Sequence, residues 1–402
     1  MTEKDKKLLE ALSAHLNGGR VDWNDPMTGA DWGALFALTR EQHVLPMVLE
    51  AVYPCPAFQS LPEQVRTTLK QESRRRVIGQ TLATQTILRL VGAMEGAGLH
   101  PLIMKGAACR STYPVPDLRP SSDEDILVPA EEFSRCAAFL LDYGYQQTVA
   151  GEAERDFELS FHTPEGLHIE LHRTPFAPDS DTLSGCNPLF EGAWVRGIEL
   201  EGFRTMSPHD HMLYLILHAF KHLIHSGFGI RQVCDILLWG EKYKEKIDWK
   251  ELERQCRTVR AWGFVQGIFQ IGGKWLSLPV PAPLGGAEGL GDALLEDLLS
   301  GGVFGGTDLS RKHSSTVTLN AVEGQQRGKR PSLLPTLFPK RSAMERQYPY
   351  VAKCPLLLPA AWIHRMVRYG GEKKDDTNRA ADSLRIGKAR IALLKELGVL
   401  DE

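Results

Sequence analysis

Apolar residues recur with helical spacing along the first quarter of the chain. The spacing of three to four positions is seen at Leu8 and Leu12, and again over residues 65–91. A helix with this period presents one apolar face to a core. Gly96-Ala-Gly98 then interrupts the pattern, as glycines do at helix ends. We therefore predict an N-terminal helical region over residues 1–98.

Short apolar runs bounded by glycine and proline follow, and these are typical of strands. LHPLIMKG at 99–106 and DEDILV at 123–128 each suit a buried strand, and a helix is predicted over about 130–143. Two more strand-like runs, at about 157–163 and 167–173, are joined by a Pro-Glu-Gly turn. The pattern indicates a compact α+β unit.

Helical spacing returns in the second half of the chain. Ser207-Pro208 suits an N-cap followed by a first-turn proline, and it precedes the apolar run HDHMLYLILHAFKHLI. We predict a helical domain over 206–278 and a C-terminal helical tail over 336–402. Residues 279–335 between them are rich in glycine, proline, serine and basic residues, and they are predicted to form loops.

Composition and charge narrow the class of protein. The 47 Lys and Arg residues nearly balance 50 Asp and Glu residues, and the net charge of -3 argues against a surface built to hold long nucleic acids. Seven scattered cysteines without a C-x-x-C pair indicate reduced thiols and a cytoplasmic protein. No signal-peptide or membrane-spanning pattern is present. The run YPYVAKCPLLLPAAWIHR in the tail suits a clamp over the helical domain or a peripheral contact with lipid.

Three acidic residues on the predicted strands are candidates for catalysis. Asp123 and Asp125 alternate along DEDILV, so their side chains project from the same face of a strand. Glu170, which has an apolar residue on either side in HIELH, lies on a neighbouring predicted strand. Carboxylate oxygens are the ligands that Mg²⁺ prefers. The pattern predicts a divalent-metal site, although a solvated acidic turn is the simpler interpretation of Asp123 and Asp125 alone.

Basic residues near these acids are candidates for binding phosphate. Lys105 ends the first strand, and Gly106 allows close approach of a ligand to the backbone; an ion pair with a carboxylate is the alternative for Lys105. Lys221 suits the wall of a nucleotide cleft or an ion pair on a helix face. His218 and His222 have the spacing of a shared zinc site or of a packed pair.

These pieces occur in the order of a known family. Lys105-Gly106, the R-x-x-x-D-h-D-h-h-V motif at 119–128 and the h-E-h-H motif at 169–172, where h is apolar in the family, resemble signatures of the DNA polymerase β-type nucleotidyltransferase superfamily. In particular, they are similar to those of an uncharacterised bacterial nucleotidyltransferase-like family. The flanking runs DWGALFALTREQHVLP and LHAFKHLIHSGFGIRQVCDILL also resemble that family. The resemblance therefore covers most of the chain.

The resemblance implies a fold and an activity. The fold is a polymerase-β-like α+β core with a short mixed sheet, over residues 99–205, flanked by N- and C-terminal helical regions. The activity is Mg²⁺-dependent transfer of a nucleoside monophosphate from a nucleoside triphosphate, with ATP as the expected donor. The acceptor would be a hydroxyl group of a small molecule, a saccharide or a peptide.

The resemblance also implies the roles of individual residues. Asp123 and Asp125 would hold two Mg²⁺ ions, and Glu170 would ligate the ion that activates the acceptor hydroxyl. Four further residues would bind the nucleotide: Lys105, Gly106, Arg119 and Lys221.

Two departures from the family pattern leave other functions open. Ala107-Ala108 stands where the superfamily usually has a serine or a second glycine. Glu124 stands between the aspartates where an apolar residue is usual, which puts a charge on the other face of the sheet or marks an edge strand. These departures suggest a non-catalytic partner protein as one alternative. A phosphotransferase that uses the same metals and lysine is another, and a toxin-like enzyme that modifies tRNA is a third, because a local basic groove would suffice for it.

Overall fold

The structure is a computed structural model that describes residues 1–148, 157–178, 183–225, 227–284, 289–301, 318, 321–322, 341, 344–345, 348–371 and 377–401. Most of the described residues lie in helices. The helices are α1 (Glu3–Leu16), α2 (Gly29–Glu41), α3 (Leu45–Val52), α4 (Pro56–Gln59), α5 (Glu63–Gly96), α6 (Ala107–Arg110), α7 (Phe133–Asp142), α8 (Ala193–Arg196), α9 (Pro208–His225), α10 (Ile230–Lys242), α11 (Trp249–Thr258), α12 (Trp262–Trp275), α13 (Leu290–Gly301), α14 (Pro349–Lys353), α15 (Leu358–Gly371) and α16 (Thr377–Glu396).

The strands of the described residues form one mixed sheet. They are β1 (Leu102–Ile103), β2 (Asp123–Leu127), β3 (Gln146–Gln147), β4 (Glu158–His162), β5 (His168–His172), β6 (Ile198–Leu200) and β7 (Phe203–Thr205). Their order in the sheet is β3-β4-β5-β2-β1-β7-β6. β2 pairs in parallel with β5 and antiparallel with β1. The α+β class with a short mixed sheet is therefore confirmed.

The strand β2 lies in the middle of this sheet because its second half is apolar. Ile126 and Leu127 are fully buried, as a central strand requires. The two runs predicted at about 157–163 and 167–173 are the antiparallel pair β4 and β5. β5 then places its side chains directly beside those of β2, which brings the acidic residues of the two strands together.

The N-terminal and second helical regions share one hydrophobic core with the sheet. The buried side chain of Gln42, just after α2, joins the two regions: its amide nitrogen donates to the Leu298 carbonyl at 3.3 Å, and its oxygen accepts from the Ile230 amide at 2.9 Å. α9 begins at Pro208, where the Ser207-Pro208 pair predicts a helix start. The helices α9 and α10 pack against each other and form the wall that faces the sheet.

A helix lies inside the segment 279–335, which the sequence predicts to be loops. α13 packs on α12, with Leu294, Leu295 and Leu298 buried. Their helical spacing outweighs the glycine and proline content of the surrounding chain. Much of the remaining predicted loop segment lies outside the described residues.

The C-terminal tail contains a small apolar cluster of its own. Tyr348, Val351 and Ala361 are buried in it, and Trp362 packs against it. This cluster is separate from the main core. Among the helices of the described residues, none has the length and apolar content needed to cross a membrane.

The reverse face of β2 explains the Glu124 departure. Glu124 is fully buried there, and its carboxylate lies 2.7 Å from the Arg110 guanidinium and accepts the Ala107 amide at 2.9 Å. Gly106 makes room for it: φ at Gly106 is +51°, and an added Cβ would lie 1.9 Å from the Glu124 carboxylate. Of the two interpretations of Glu124, the charge on the other face is therefore correct, and the edge strand is wrong.

We expect Gly106→Ala to lower the free energy of unfolding by more than about 2 kcal/mol, because the added methyl group collides with Glu124 and the backbone is strained for a non-glycine residue. Gly79→Ala, in the exposed middle of α5 with nothing within 4 Å, is the matched control and is expected to stabilise by about 0.5–1 kcal/mol. Urea denaturation measures both. Equal effects of the two substitutions would contradict the packing of Glu124 under Gly106.

Candidate active site

The three predicted acidic residues lie together on one face of the sheet. In the parallel register of β2 and β5, Asp123 is opposite His168 and Asp125 is opposite Glu170. The Asp125 side chain is 2% exposed, whereas those of Asp123 and Glu170 are 22% and 27% exposed. Asp125 therefore forms the floor of the site, and the other two carboxylates border its opening.

Lys105 neutralises two of these carboxylates. Its ammonium nitrogen lies 2.9 Å from Asp123 Oδ2 and 3.0 Å from Asp125 Oδ2. Burial opposes charge on Lys105, but the two aspartates outweigh burial and hold the Lys105 pKa well above its usual value. Burial likewise opposes charge on Asp123, and Lys105 outweighs it so that the Asp123 pKa falls below its usual range. Lys105 thus bridges the two aspartates as a bound cation.

His172 holds the other side of the acidic group. Its Nε2 atom lies 3.4 Å from Asp125 Oδ1 and 3.5 Å from Glu170 Oε2. Burial alone would lower the pKa of His172, but Asp125 and Glu170 outweigh burial and raise the pKa to about 9. Burial would raise the pKa of Glu170, but His172 outweighs burial and lowers it to about 2. Asp123 and Glu170 are therefore ionised at neutral pH, and Lys105 and His172 balance their charge.

A cleft of about 430 Å³ that opens to solvent lies between this face and the helices α9 and α10. Acidic, basic and apolar side chains line it: Lys105, Arg119, Asp123, Leu215, His218, Ala219, Arg231, Gln232, Asp235 and Ile236.

Arg119 lines the cleft, but most of its guanidinium is engaged by Asp235 of α10. Nε and Nη2 of Arg119 donate to the Asp235 carboxylate at 2.9 and 2.6 Å, and the Tyr113 hydroxyl donates to the same carboxylate at 2.7 Å. Only Nη1 of Arg119 is buried without a hydrogen-bond partner among the described residues. The ion pair fastens the segment before β2 to the helical wall.

Two further basic side chains lie beside the acidic face without a carboxylate partner in the described part of the chain, Lys221 on α9 and Arg231 on α10. Burial and the nearby Lys105 lower the pKa of Lys221. Burial and the nearby Arg119 lower the pKa of Arg231, whose guanidinium donates to the Pro120 carbonyl. The charged forms of both side chains are therefore held largely out of water and near another cation.

His218 and His222 face each other across one turn of α9. Their Nε2 atoms are 3.3 Å apart, within hydrogen-bond distance. Burial lowers the pKa of both residues, and that of His222 falls to about 3. The two rings pack edge to face, with their centroids 4.6 Å apart. Among the described residues, the group of three His, Cys, Asp or Glu side chains that could hold a metal ion is Asp125, Glu170 and His172.

The sequence did not indicate two further residues of the site. Glu158 on β4 lies opposite His172 of β5, and its Oε2 atom is 3.8 Å from His172 Nδ1. Burial and the nearby Asp125 raise the pKa of Tyr214 on α9 well above its usual value. Glu158 could have been found from the alternation of the ELSFH strand, but Tyr214 lies in a continuously apolar run and carries no local signal.

The chain belongs to a family of nucleotidyltransferases. Residues 28–277 match the family described as uncharacterised nucleotidyltransferase. The matched residues include the sheet and the helices α9 and α10 that form the facing wall of the cleft. The resemblance seen in the motifs at Lys105, Asp123 and Glu170 is confirmed by this match. Because it belongs to this family, the chain is a transferase of nucleotidyl groups.

Comparisons outside the family add little. No protein of curated function matches the chain. Among solved structures, the chain is similar to the crystal structure of the Megavirus polyadenylate synthase, with 12% sequence identity and a TM-score of 0.29. The similarity covers 56% of this chain and 39% of that one, well under half of the viral enzyme.

We expect Asp235→Asn to lower the free energy of unfolding by about 3–5 kcal/mol, because it leaves the Arg119 guanidinium buried without a counter-charge. The double variant Arg119→Met/Asp235→Leu removes both charges and is expected to recover most of that loss. Asp142→Asn, at the exposed end of α7, is the control and should be neutral. Chemical denaturation of the unaltered protein and the three variants measures these free energies. A double variant no more stable than Asp235→Asn would show that Arg119 and Asp235 do not act as a unit.

Proposed function

We propose that this chain transfers a nucleoside monophosphate from ATP to a hydroxyl group of a small molecule, saccharide or peptide, with release of pyrophosphate and the hydroxyl proton and with Mg²⁺ as cofactor. The observation that carries the proposal is the convergence of Asp123, Asp125 and Glu170 on one face of the sheet, beside a cleft lined by basic side chains. The family of the chain supports the class of reaction.

The acidic residues are suited to Mg²⁺. Their oxygens are the hard donors that Mg²⁺ prefers, and the Lys105 ammonium already lies between Asp123 and Asp125 as a cation would. Asp123 and Asp125 would hold two ions, and Glu170 would hold the ion nearer the acceptor. Bound Mg²⁺ supplies positive charge at the transferred phosphate and makes the acceptor hydroxyl easier to deprotonate.

The basic residues are suited to a triphosphate. Lys221 and Arg231 are desolvated, and Lys221 is repelled by Lys105 and Arg231 by Arg119. An anionic phosphate would offset this repulsion. Lys105 would turn from the aspartates to the phosphates when nucleotide enters. Arg119 would contact the nucleotide through Nη1 alone, because Asp235 engages the rest of its guanidinium.

Gly106 contributes through its backbone. Its missing side chain admits the Glu124 carboxylate, which fixes the turn that follows Lys105. We therefore propose that Gly106 assists nucleotide binding by shaping this turn, so that the Lys105 ammonium reaches the cleft.

The charge of the chain favours a small acceptor. The net charge of -3 offers little attraction to a long polynucleotide. All seven cysteines are free of disulfides, which supports a cytoplasmic location.

Asp123→Asn and Asp125→Asn are each expected to reduce transfer of label from α-labelled ATP by about 10³-fold or more, because metal-held charge at the phosphate contributes several kcal/mol to the barrier. The assay uses purified protein, Mg²⁺ and a cell extract as the source of acceptors. Asp142→Asn is the matched control and should keep full activity.

The same assay with γ-labelled ATP distinguishes the alternatives. Transfer of the γ label alone would replace the proposal with a phosphotransferase, and α label recovered in tRNA would identify a tRNA-modifying enzyme. Protein that binds no ATP and transfers neither label would indicate a non-catalytic partner protein.

A further inference from the structure

His172 forms one compact donor set with Asp125 and Glu170. Each residue offers one ligand atom, and these atoms all lie within 4.8 Å of one another. The set differs from the acidic trio of the proposed function, because one of its three donors is an imidazole nitrogen. His172 and Asp125 are buried, with side chains 7% and 2% exposed, and Glu170 borders the opening.

The imidazole of His172 is aimed at the two carboxylates without making a good hydrogen bond to either. Neither ring nitrogen has a hydrogen-bond partner within geometric limits among the described residues. The contacts of 3.4 and 3.5 Å exceed the 2.7–3.2 Å of ordinary hydrogen bonds. Buried polar atoms nearly always have a partner, so a nitrogen placed in this way is suited to a ligand shared with the carboxylates.

Two of the three donor separations agree with the coordination sphere of one ion. Donors bound to one ion at about 2.1 Å are about 3.0 Å apart along an octahedral edge and about 3.4 Å apart along a tetrahedral edge. The nitrogen-to-oxygen separations of 3.4 and 3.5 Å agree with the tetrahedral spacing and are slightly wider than the octahedral one. All three atoms lie within 4.8 Å of one another, which is compatible with one shared ion after a small movement of the carboxylates.

The second ring nitrogen of His172 faces another carboxylate, at a distance too long for a hydrogen bond. Nδ1, on the far side of the ring from Asp125, lies 3.8 Å from Glu158 Oε2. Histidines that bind metals usually direct their second nitrogen towards a carboxylate or carbonyl, which orients the ring and makes the ligating nitrogen more basic.

We propose that His172 is a nitrogen ligand of a divalent ion held with Asp125 and Glu170, and that this position takes Mn²⁺ or a similar first-row transition metal more tightly than Mg²⁺. Imidazole nitrogen favours transition metals, whereas Mg²⁺ prefers oxygen donors alone. The inference deepens the proposed function, on which it rests for the use of a divalent ion, by naming the donor set and the metal class. The competing role for His172 is that of a protonated counter-ion to the carboxylates.

The two roles predict opposite effects of one substitution. If His172 is a ligand, His172→Gln weakens Mn²⁺ binding by about tenfold or more and changes Mg²⁺ binding much less. If His172 is a counter-ion, removing its positive charge strengthens the binding of both ions. Calorimetric titration of the full chain with each ion, without nucleotide, measures these affinities. His168→Gln is the matched control, because His168 lies on the same strand and contacts Glu170 but not Asp125.

Pulsed electron paramagnetic resonance of bound Mn²⁺ tests the ligand directly in the unaltered protein. We expect a nitrogen coupling to the manganese that changes when the histidines are labelled with ¹⁵N. The coupling should persist in His168→Gln and be lost in His172→Gln. The ¹⁵N comparison in the unaltered protein does not depend on a variant that folds, and the two variants assign the coupling to His172.

Three results would overturn the inference: Mn²⁺ bound without a nitrogen coupling, tighter Mn²⁺ binding by His172→Gln, or no Mn²⁺ binding by the unaltered protein. The assay for α-label transfer with Mg²⁺ on the same preparation separates this inference from the proposed function. Transfer without a nitrogen coupling overturns only the role of His172. A nitrogen coupling without transfer overturns only the proposed reaction.

Discussion

Repulsion between carboxylates that share one face of the sheet is the constraint on which this structure depends. Two like charges 4 Å apart repel by about 4 kcal/mol near a protein surface. The register of β2 and β5 nevertheless sets Asp125 directly beside Glu170, with Asp123 two positions away. The register is tolerated because Lys105 and His172 place positive charge between these carboxylates, and a bound divalent ion would take over that charge from His172. A group of acids held together in this way is pre-organised for divalent cations.

A single short segment of chain serves both faces of β2. At one end of the segment, Lys105 pairs with Asp123 and Asp125; at the other, Arg110 pairs with Glu124 on the reverse face. Gly106 lies between Lys105 and Arg110 and has no side chain, so the Glu124 carboxylate can lie close to its backbone. Charge balance on the two faces is therefore coupled, and the Ala107-Ala108 departure from the family pattern fits a segment that packs against the sheet.

The local order of the sequence predicts the centre of the site well. Alternation along DEDILV is enough to place Asp123 and Asp125 on one face, and the short spacing to HIELH is enough to bring Glu170 alongside. The same reasoning fails where the partner is distant in the chain. Nothing near Arg119 shows that Asp235, 116 residues away, engages its guanidinium, and nothing near Tyr214 shows that the charge of Asp125 raises the pKa of its hydroxyl. Tertiary packing decides these contacts.

In the proposed function, a divalent ion and a triphosphate bind together at this face of the sheet. The most direct measurement is anomalous diffraction near the manganese edge from crystals grown with Mn²⁺ and a non-hydrolysable ATP analogue. We predict a manganese peak between the carboxylates of Asp123, Asp125 and Glu170, with the triphosphate extending towards Lys221 and Arg231. Nucleotide bound elsewhere, or a manganese peak away from these carboxylates, would contradict the account.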